Sequence, residues 1–483
     1  MGLCSVWLIV LGILAMASSV SAWTEAINLS NTPICSYNSA IAIGRNGELH
    51  VVWTERYGLN QDHDIYYARS EDGGDSWSTP ENVRDDSLIC ATPDVVVDSN
   101  NVVHIVWMNW SLGDIFWSHQ LGDTWTTPVD ISDQPGSEEE PTVVLDDQNN
   151  IWVFWRAYGA DQQIYYNVYD GDSWSTPVNL TNDAVGNRYP DVVVDSLGHL
   201  HAVWMSSPGG GNSYIHYSTH DGIQWTSPPE QLPSLFGEAT WPRVEIDSEQ
   251  RPWVIWREYT GPNFNRLYCA YRDSVGWSFP SPIANDDRFT HSFIIDSRDR
   301  LHLFWSGAVN ATNYSHLYYS VFDRTSWSTP FDLSDTLAQS AGWPDVIVDI
   351  EDRLHLIWSE SLEWGNDKME VFYSKGRLTD VEENSEDLPS EHISRQNFPN
   401  PFESTTTIYY TLPEAGSVRL LMCDLAGRML ANLDMGYKSK GSHALHVPAA
   451  ALEKGGGAHA GVYFYRVEGR GEVVARGKLV LLR

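Results

Sequence analysis

Two arginines in this chain break a position that is otherwise small or apolar. Arg156 and Arg257 directly follow Trp155 and Trp256, where other copies of the same phrase carry Thr54, Met108, Met205, Ser306 and Ser359. Glu258 and Tyr259 come next to Arg257, and Trp110 and Trp364 fall in corresponding loops. Guanidinium and carboxylate groups beside flat aromatic faces combine directional polar contacts with apolar stacking, which is the chemistry of sugar recognition. The same residue types also form ion pairs between neighbouring sheets and close apolar gaps, and that structural use is the commoner one.

A second set of candidates sits one per repeat: Ala40, Asp94, Thr142, Asp191, Arg243, Ser292 and Asp345. Three carboxylates and one guanidinium around a shared axis suit a cation or a polar sugar, and serve equally to bond neighbouring sheets to each other. His50, His104, His201, His302 and His355 share one position with Trp152 and Trp253. A residue that exchanges with Trp is expected to fill the sheet rather than to ligate metal. No Cys-x-x-Cys pair, Gly-x-Ser-x-Gly elbow or phosphate loop occurs, and no histidine spacing supports a zinc site.

These residues are carried by a repeat. Trp53, Trp107, Trp155, Trp204, Trp256, Trp305 and Trp358 recur roughly every fifty residues, each inside four short phrases rich in Val, Ile, Trp and Tyr. The first two phrases are apolar without alternation, as strands covered on both faces are. Gly, Asp, Asn and Pro bound the phrases, so each reads as a strand and each copy as a propeller blade. The fourth phrase, opened by Trp77, Trp125, Trp174, Trp225, Trp277 and Trp327, is one copy short. The segment from Trp23 to Ser30 supplies it, so the N-terminal strand completes the last blade and leaves no open sheet edge. The expected architecture is all-β: a seven-bladed β-propeller closed by the N-terminal strand and followed by a small immunoglobulin-like β-sandwich.

Composition limits the partners. With 64 acidic against 30 basic residues the formal charge is −34, which disfavours nucleic acid and anionic membranes. The carboxylates are spread along turns; Ca²⁺ is conceivable, but no EF-hand spacing supports it and no cofactor is expected. Residues 1–22 read as a secretory signal ending at Val20-Ser21-Ala22, and no other run is long enough to span a bilayer. Cys35 and Cys90 fall in equivalent loops of adjacent copies, open to two readings: a disulfide, or two small buried side chains. The repeat array occupies 23–377, and 378–396 is an acidic linker. Strand-like runs at 405–412, 418–424, 444–447, 462–467 and 478–482 make up the second domain, 397–483.

That tail carries Asn397-Phe398-Pro399-Asn400-Pro401-Phe402, Thr407-Ile408, Leu412-Pro413, Asp424-Leu425-Ala426-Gly427-Arg428, Gly461-Val462-Tyr463-Phe464-Tyr465 and Lys478-Leu479-Val480-Leu481-Leu482-Arg483. In these motifs it resembles the C-terminal sorting domain of the type IX secretion system. The resemblance implies export by that machinery to the medium or the outer-membrane surface of a Gram-negative bacterium. Ser70-Glu71-Asp72-Gly73-Gly74-Asp75-Ser76-Trp77 is similar to the Asp-box of the bacterial neuraminidase repeat superfamily, with worn copies at Asp170–Trp174 and Asp221–Trp225. The sialidases of that superfamily carry an Arg-Ile-Pro signature and six blades. This chain has neither, so sialidase activity is not expected. The reading is a secreted or cell-surface propeller acting as a non-catalytic binding module for glycan or another surface polymer. The alternatives are a lyase or glycoside hydrolase, with Arg156, Arg243 or Arg257 neutralising a substrate carboxylate, and an adhesion scaffold.

Overall fold

The computed structural model describes residues 22–377 and 397–481, apart from 33–34, 58–61, 85–87, 134–135, 160, 262–263, 286, 309–314, 335–339, 362–367, 399–404, 413, 425–428, 450–460 and 471. The chain divides into two compact units at Val381/Glu382. The signal segment before Ala22, the acidic linker and several of the tail motif residues lie outside the described residues.

Among the described residues the first unit is all-β, built from seven antiparallel sheets in chain order. Their first strands are Cys35–Ile43, Cys90–Val97, Glu138–Leu145, Gly186–Val194, Ala239–Ile246, Asp287–Ile295 and Ser340–Val348. Each pairs with the second strand, which pairs with the third, so every sheet is a meander of local hairpins. The second strands are the driest: every residue of Val103–Asn109 and of Ile151–Ala157 is buried. Burial of Val, Ile and Trp on both faces explains why these phrases lack alternation. The fourth position is weaker than the sequence suggests. Trp174, Trp225, Trp277 and Trp327 make only isolated bridges, and two-residue strands such as Val178–Asn179 and Phe331–Asp332 follow the Pro of each phrase. Pro has no N–H for a ladder, so it cuts the edge short.

In the seventh sheet that outer position is taken by Ala22–Trp23 and Ile27–Asn28, paired with Glu370–Arg377 as Trp23↔Gly376 and Ile27↔Tyr373. Backbone bonds from Thr24 N to Lys375 O and from Leu29 N to Val371 O, 2.9 and 2.8 Å, extend the pairing. Trp23 meets Phe304 and Tyr319 edge-on, both at 5.6 Å. A Cβ at residue 376 would stand 2.7 Å from the Trp23 ring, so only glycine admits the indole there.

The core lies between sheets. Val52 and Ile65 of the first pack with Val95 and Trp107 of the second, and so on round to Ile357 and Tyr373 of the seventh against Val51 and Trp53 of the first. Trp53, Trp107, Trp155 and Trp256 are wholly buried at these junctions.

The recurrent histidines belong to the turn joining first and second strands. Asp195, Asp296 and Asp349 each accept backbone N–H groups of their own turn. The same carboxylates accept from Nε2 of His201, His302 and His355 at 3.2, 3.1 and 3.3 Å. With Nε2 protonated, Nδ1 accepts from Tyr217, Tyr319 and Tyr373 at 2.7, 2.8 and 2.8 Å. In two copies Trp takes the place of His: Trp152 and Trp253 donate Nε1–H to Asp146 and Asp247, both at 2.9 Å. The position therefore demands an N–H donor to the turn, which both rings supply. Where the larger Trp enters, the cross-strand tyrosine gives way to Cys269 in the fifth sheet, while in the third Tyr166 keeps its place and stacks on Trp152 at 5.4 Å.

The second unit holds a three-stranded sheet, Asn397–Phe398, Thr405–Leu412 and Gly441–Pro448, and a four-stranded one, Met429–Lys438, Gly416–Asp424, Gly461–Gly469 and Glu472–Leu481. They share one apolar core around Ile408, Leu420, Val447, Val467 and Leu479. The strand Met429–Lys438 is not foreseen from sequence, since Asn432, Asp434, Gly436 and Lys438 are poor strand formers.

Candidate functional site

Each first strand carries a register shift three to four residues wide, for example Arg188/Asp191, Thr240/Arg243 and Gly342/Asp345. In six of them a non-glycine residue inside the shift lies in the left-handed region: Asn38, Thr92, Glu140, Tyr189, Trp241 and Trp343, with φ between 46° and 57°. Asn tolerates that conformation; Tyr and Trp do so at a cost of the order of 1–3 kcal/mol each. The strain recurs at the same place in the first strand of six of the seven sheets.

The axial candidates follow two residues later, and their carboxylates tie sheets together. Asp345 accepts from Ile41 N at 3.0 Å, Asp94 from Val143 N at 2.9 Å and Asp191 from Val244 N at 2.8 Å. Arg243 donates to the second oxygen of Asp191 at 2.8 Å. Burial raises Asp94 to about 6, with repulsion from Asp345 adding to it, and burial raises Asp345; Arg243 eases both. Glu245, not singled out from sequence, is pushed well above the usual carboxylate range by burial and by Asp191 and Asp345. Among the described residues no group of three or more His, Cys, Asp or Glu side chains is arranged to hold a metal ion.

The remaining candidates separate. Glu258 is completely buried and accepts from Ser234 Oγ and the N–H groups of Leu235, Phe236 and Gly237 at 2.5–3.2 Å, so it organises the loop before its sheet rather than facing a ligand. Arg156 is buried, ion-paired with Glu139 and with Glu140 at 3.3 Å, and its guanidinium lies over Tyr158 at 4.7 Å and Tyr189 at 5.8 Å. Burial, opposed by Arg156, pushes Glu140 up to about 7. Arg257 stacks over Trp241 at 4.3 Å. Trp110 and Tyr259 are exposed; Trp364 lies outside the described residues. The bridge weighed between Cys35 and Cys90 is not formed: both are buried thiols, Cys90 within the apolar cluster of Val52 and Ile65.

Arg257 and Tyr259 line a cleft of about 310 Å³ between the fourth and fifth sheets, together with Arg188, Tyr189, Glu238 and Asn265. Arg188 donates Nε–H to Gln162. Tyr189 and Trp241, adjoining left-handed residues of consecutive sheets, meet edge to face at 5.6 Å. The cleft thus offers two guanidiniums, one carboxylate, one amide and two phenol rings to a ligand of a few sugar units. It does not include Asp94, Asp345, Arg156 or Trp110. Arg188, Tyr189, Glu238 and Asn265 escape sequence reasoning. The available signal was the aromatic run Tyr189, Trp241 and Trp343 at a repeat position that elsewhere holds Asn38, Thr92 and Glu140.

No protein-family model and no curated protein sequence matches the chain. Solved structures do. A polysaccharide lyase of family PL25, an ulvan lyase bound to -[GlcA(1-4)Rha3S]-, aligns with a TM-score of 0.53 at 11% identity, over 72% of this chain and 95% of that one. The BP39L lectin from Burkholderia pseudomallei aligns at 0.50 and 14% identity, over 69% and 98%. A leech intramolecular trans-sialidase gives 0.43 at 13% identity, over 73% and 69%. At these identities the likeness is one of fold alone, a β-propeller architecture.

Proposed function

We propose that this chain is an extracellular glycan-binding module: a seven-bladed β-propeller whose ring is closed by the N-terminal strand, exported through type IX secretion by its immunoglobulin-like tail. The observation that carries the binding reading is the cleft between the fourth and fifth sheets, where guanidinium, carboxamide, carboxylate and phenol groups converge on one opening. The strained Tyr189 beside it adds weight, because backbone strain persists where side-chain placement is worth its cost. The ring reading is supported by the sheet order, by the apolar cluster joining seventh and first sheets and by the pairing of residues 22–28 with 370–377. Two of the solved likenesses act on or bind carbohydrate by their own descriptions, one a polysaccharide lyase and one a lectin. Export rests on the residue 1–22 signal and the ordered tail motifs. A glycan-array screen of the chain from residue 23 onward, with and without Ca²⁺, tests the reading; absence of binding to every glycan refutes it and leaves the adhesion-scaffold reading.

A second reading, a polysaccharide lyase or hydrolase, is favoured by Glu140 alone. Its carboxyl is held near 7 beside Arg156, the poise of a group that gives and takes a proton. New reducing ends or unsaturated products from a bound glycan would establish that reading; unchanged polymer would refute it.

A further inference from the structure

Resting on the glycan reading, we infer that the ligand is a neutral β-linked glucan, seated on an apolar lip that the loop before the fifth sheet raises beside the cleft. That loop exposes Leu235 and Phe236, at 40% and 52%, and Tyr259 of the second strand adds a ring exposed at 39%. The loop joins the cleft through its own backbone. Gly237 O accepts from Ser213 N at 2.8 Å, and Glu238 O from Tyr259 N at 3.0 Å. Ser213, Glu238 and Tyr259 all line the cleft, and Met205 adds an apolar side chain to the same wall.

The lip is held in place from behind. Glu258, completely buried, gathers Ser234 Oγ and the N–H groups of Leu235, Phe236 and Gly237 onto one oxygen, which fixes the conformation that displays the two apolar side chains. A surface set before the ligand arrives lowers the entropy lost on binding. Clustered apolar side chains left in water beside a polar cleft mark a binding surface. The polar wall speaks against an anionic ligand. Arg188 donates Nε–H to Gln162, while Arg257 is stacked over Trp241 at 4.3 Å and engaged elsewhere as well, so neither is a bare anion receptor. Glu238 stands exposed beside them, and the chain carries −34 in all, so a polyanion meets repulsion at the cleft and at long range. Thr240, Asn265 and Glu238 suit hydroxyl groups instead. A pyranose whose ring substituents are all equatorial offers an unbroken C–H face to an aromatic ring and a rim of hydroxyls to such partners. β-Linked glucose keeps that face from one unit to the next.

The test uses the chain from residue 23 onward and four hexasaccharide probes: cellohexaose, laminarihexaose, the cellohexaose chain oxidised to glucuronate, and β-linked mannohexaose, in which one hydroxyl of each ring is axial. The expected result is binding of cellohexaose or laminarihexaose, with the acid and the mannose chain each at least about tenfold weaker. Phe236→Ala and Tyr259→Ala should each weaken the bound glucan about tenfold, the scale of one aromatic contact, and Phe236→Tyr should retain it. Thermal melting is recorded alongside, and the comparison of probes on the unaltered protein stands even if a variant fails to fold. The acid bound as tightly as the glucan, or the mannose chain as tightly, overturns the inference. So does glucan binding indifferent to both well-folded alanine variants. Failure of both glucans, with another glycan bound on the array, overturns the glucan assignment and keeps the glycan reading; failure on the array as well overturns both.

Discussion

Glu138 is completely buried, and among the described residues neither carboxyl oxygen has a hydrogen-bond partner. Burial is the main cause, and repulsion from Asp114 and Asp130 the next, that lift it from 4.5 to about 8. The direction has a definite consequence. A carboxyl with a raised folded value is neutral and harmless at low pH, and its penalty grows as pH climbs from the unfolded value to the folded one. Each tenfold in proton affinity is worth about 1.4 kcal/mol, so the gap from 4.5 to about 8 sets an upper limit of about 4–5 kcal/mol lost by pH 8. Relaxation of the neighbouring loop would reduce this, and about 2 kcal/mol is a realistic share. Glu138→Gln keeps the shape and removes the charge. It should leave stability at pH 5 within about 0.5 kcal/mol of the parent and raise it by about 2 kcal/mol at pH 8. Urea unfolding followed by tryptophan fluorescence reads this cleanly, because no tryptophan lies beyond Trp364 and the second unit is silent. Equal stability of the two proteins at pH 8, or the same gain at pH 5, would refute the reasoning.

Other outcomes follow from particular contacts. Asp296→Asn takes the ionised acceptor from His302, Arg300 and two turn N–H groups, and should cost about 2–4 kcal/mol in urea unfolding. Gly74 has φ +86°, and a Cβ there would fall 1.8 Å from Tyr373 Oη, so Gly74→Ala should lower the melting temperature and speed proteolysis within residues 22–28. Asp345→Ala frees Ile41 N at the junction of seventh and first sheets and should cost about 1–3 kcal/mol without altering glycan binding. His50 and His104 are held near 4 by burial, below their ordinary 6.5. A lowered folded value means stability is full above 6.5 and falls as pH drops toward 4, so His104→Gln should flatten the acid side of the stability profile.

The repeat made most of the first unit legible, because its physical demands recur. A strand buried on both faces must be apolar throughout, and the phrases ending in Trp107 and Trp155 are. The exchange of His for Trp pointed to one shared structural role, although its nature, an N–H donated to Asp195 or Asp146, needed coordinates. The tail strands 405–412 and 418–424 were found, while Met429–Lys438 was missed for want of β-formers. At the site, Arg257 and Tyr259 were picked out by breaking the pattern, and both line the cleft. Arg188, Tyr189 and Trp241 were not, because a left-handed bulge is signalled by Asn or Gly and here holds Tyr and Trp. Glu258 was misleading for the opposite reason: side chain and loop lie close in sequence, yet burial turns it inward.

The bond between Thr24 and Ser374 spans 350 residues. A ribosome delivers the first of these long before the second, so the opening strand waits through nearly the whole synthesis of the array with its ladder groups unmet. Six sheets are local hairpin meanders, whereas contacts so distant in sequence form slowly. The opening strand has no partner until residues 370–377 are made, and a chain truncated before them is left with an unpaired, adhesive edge.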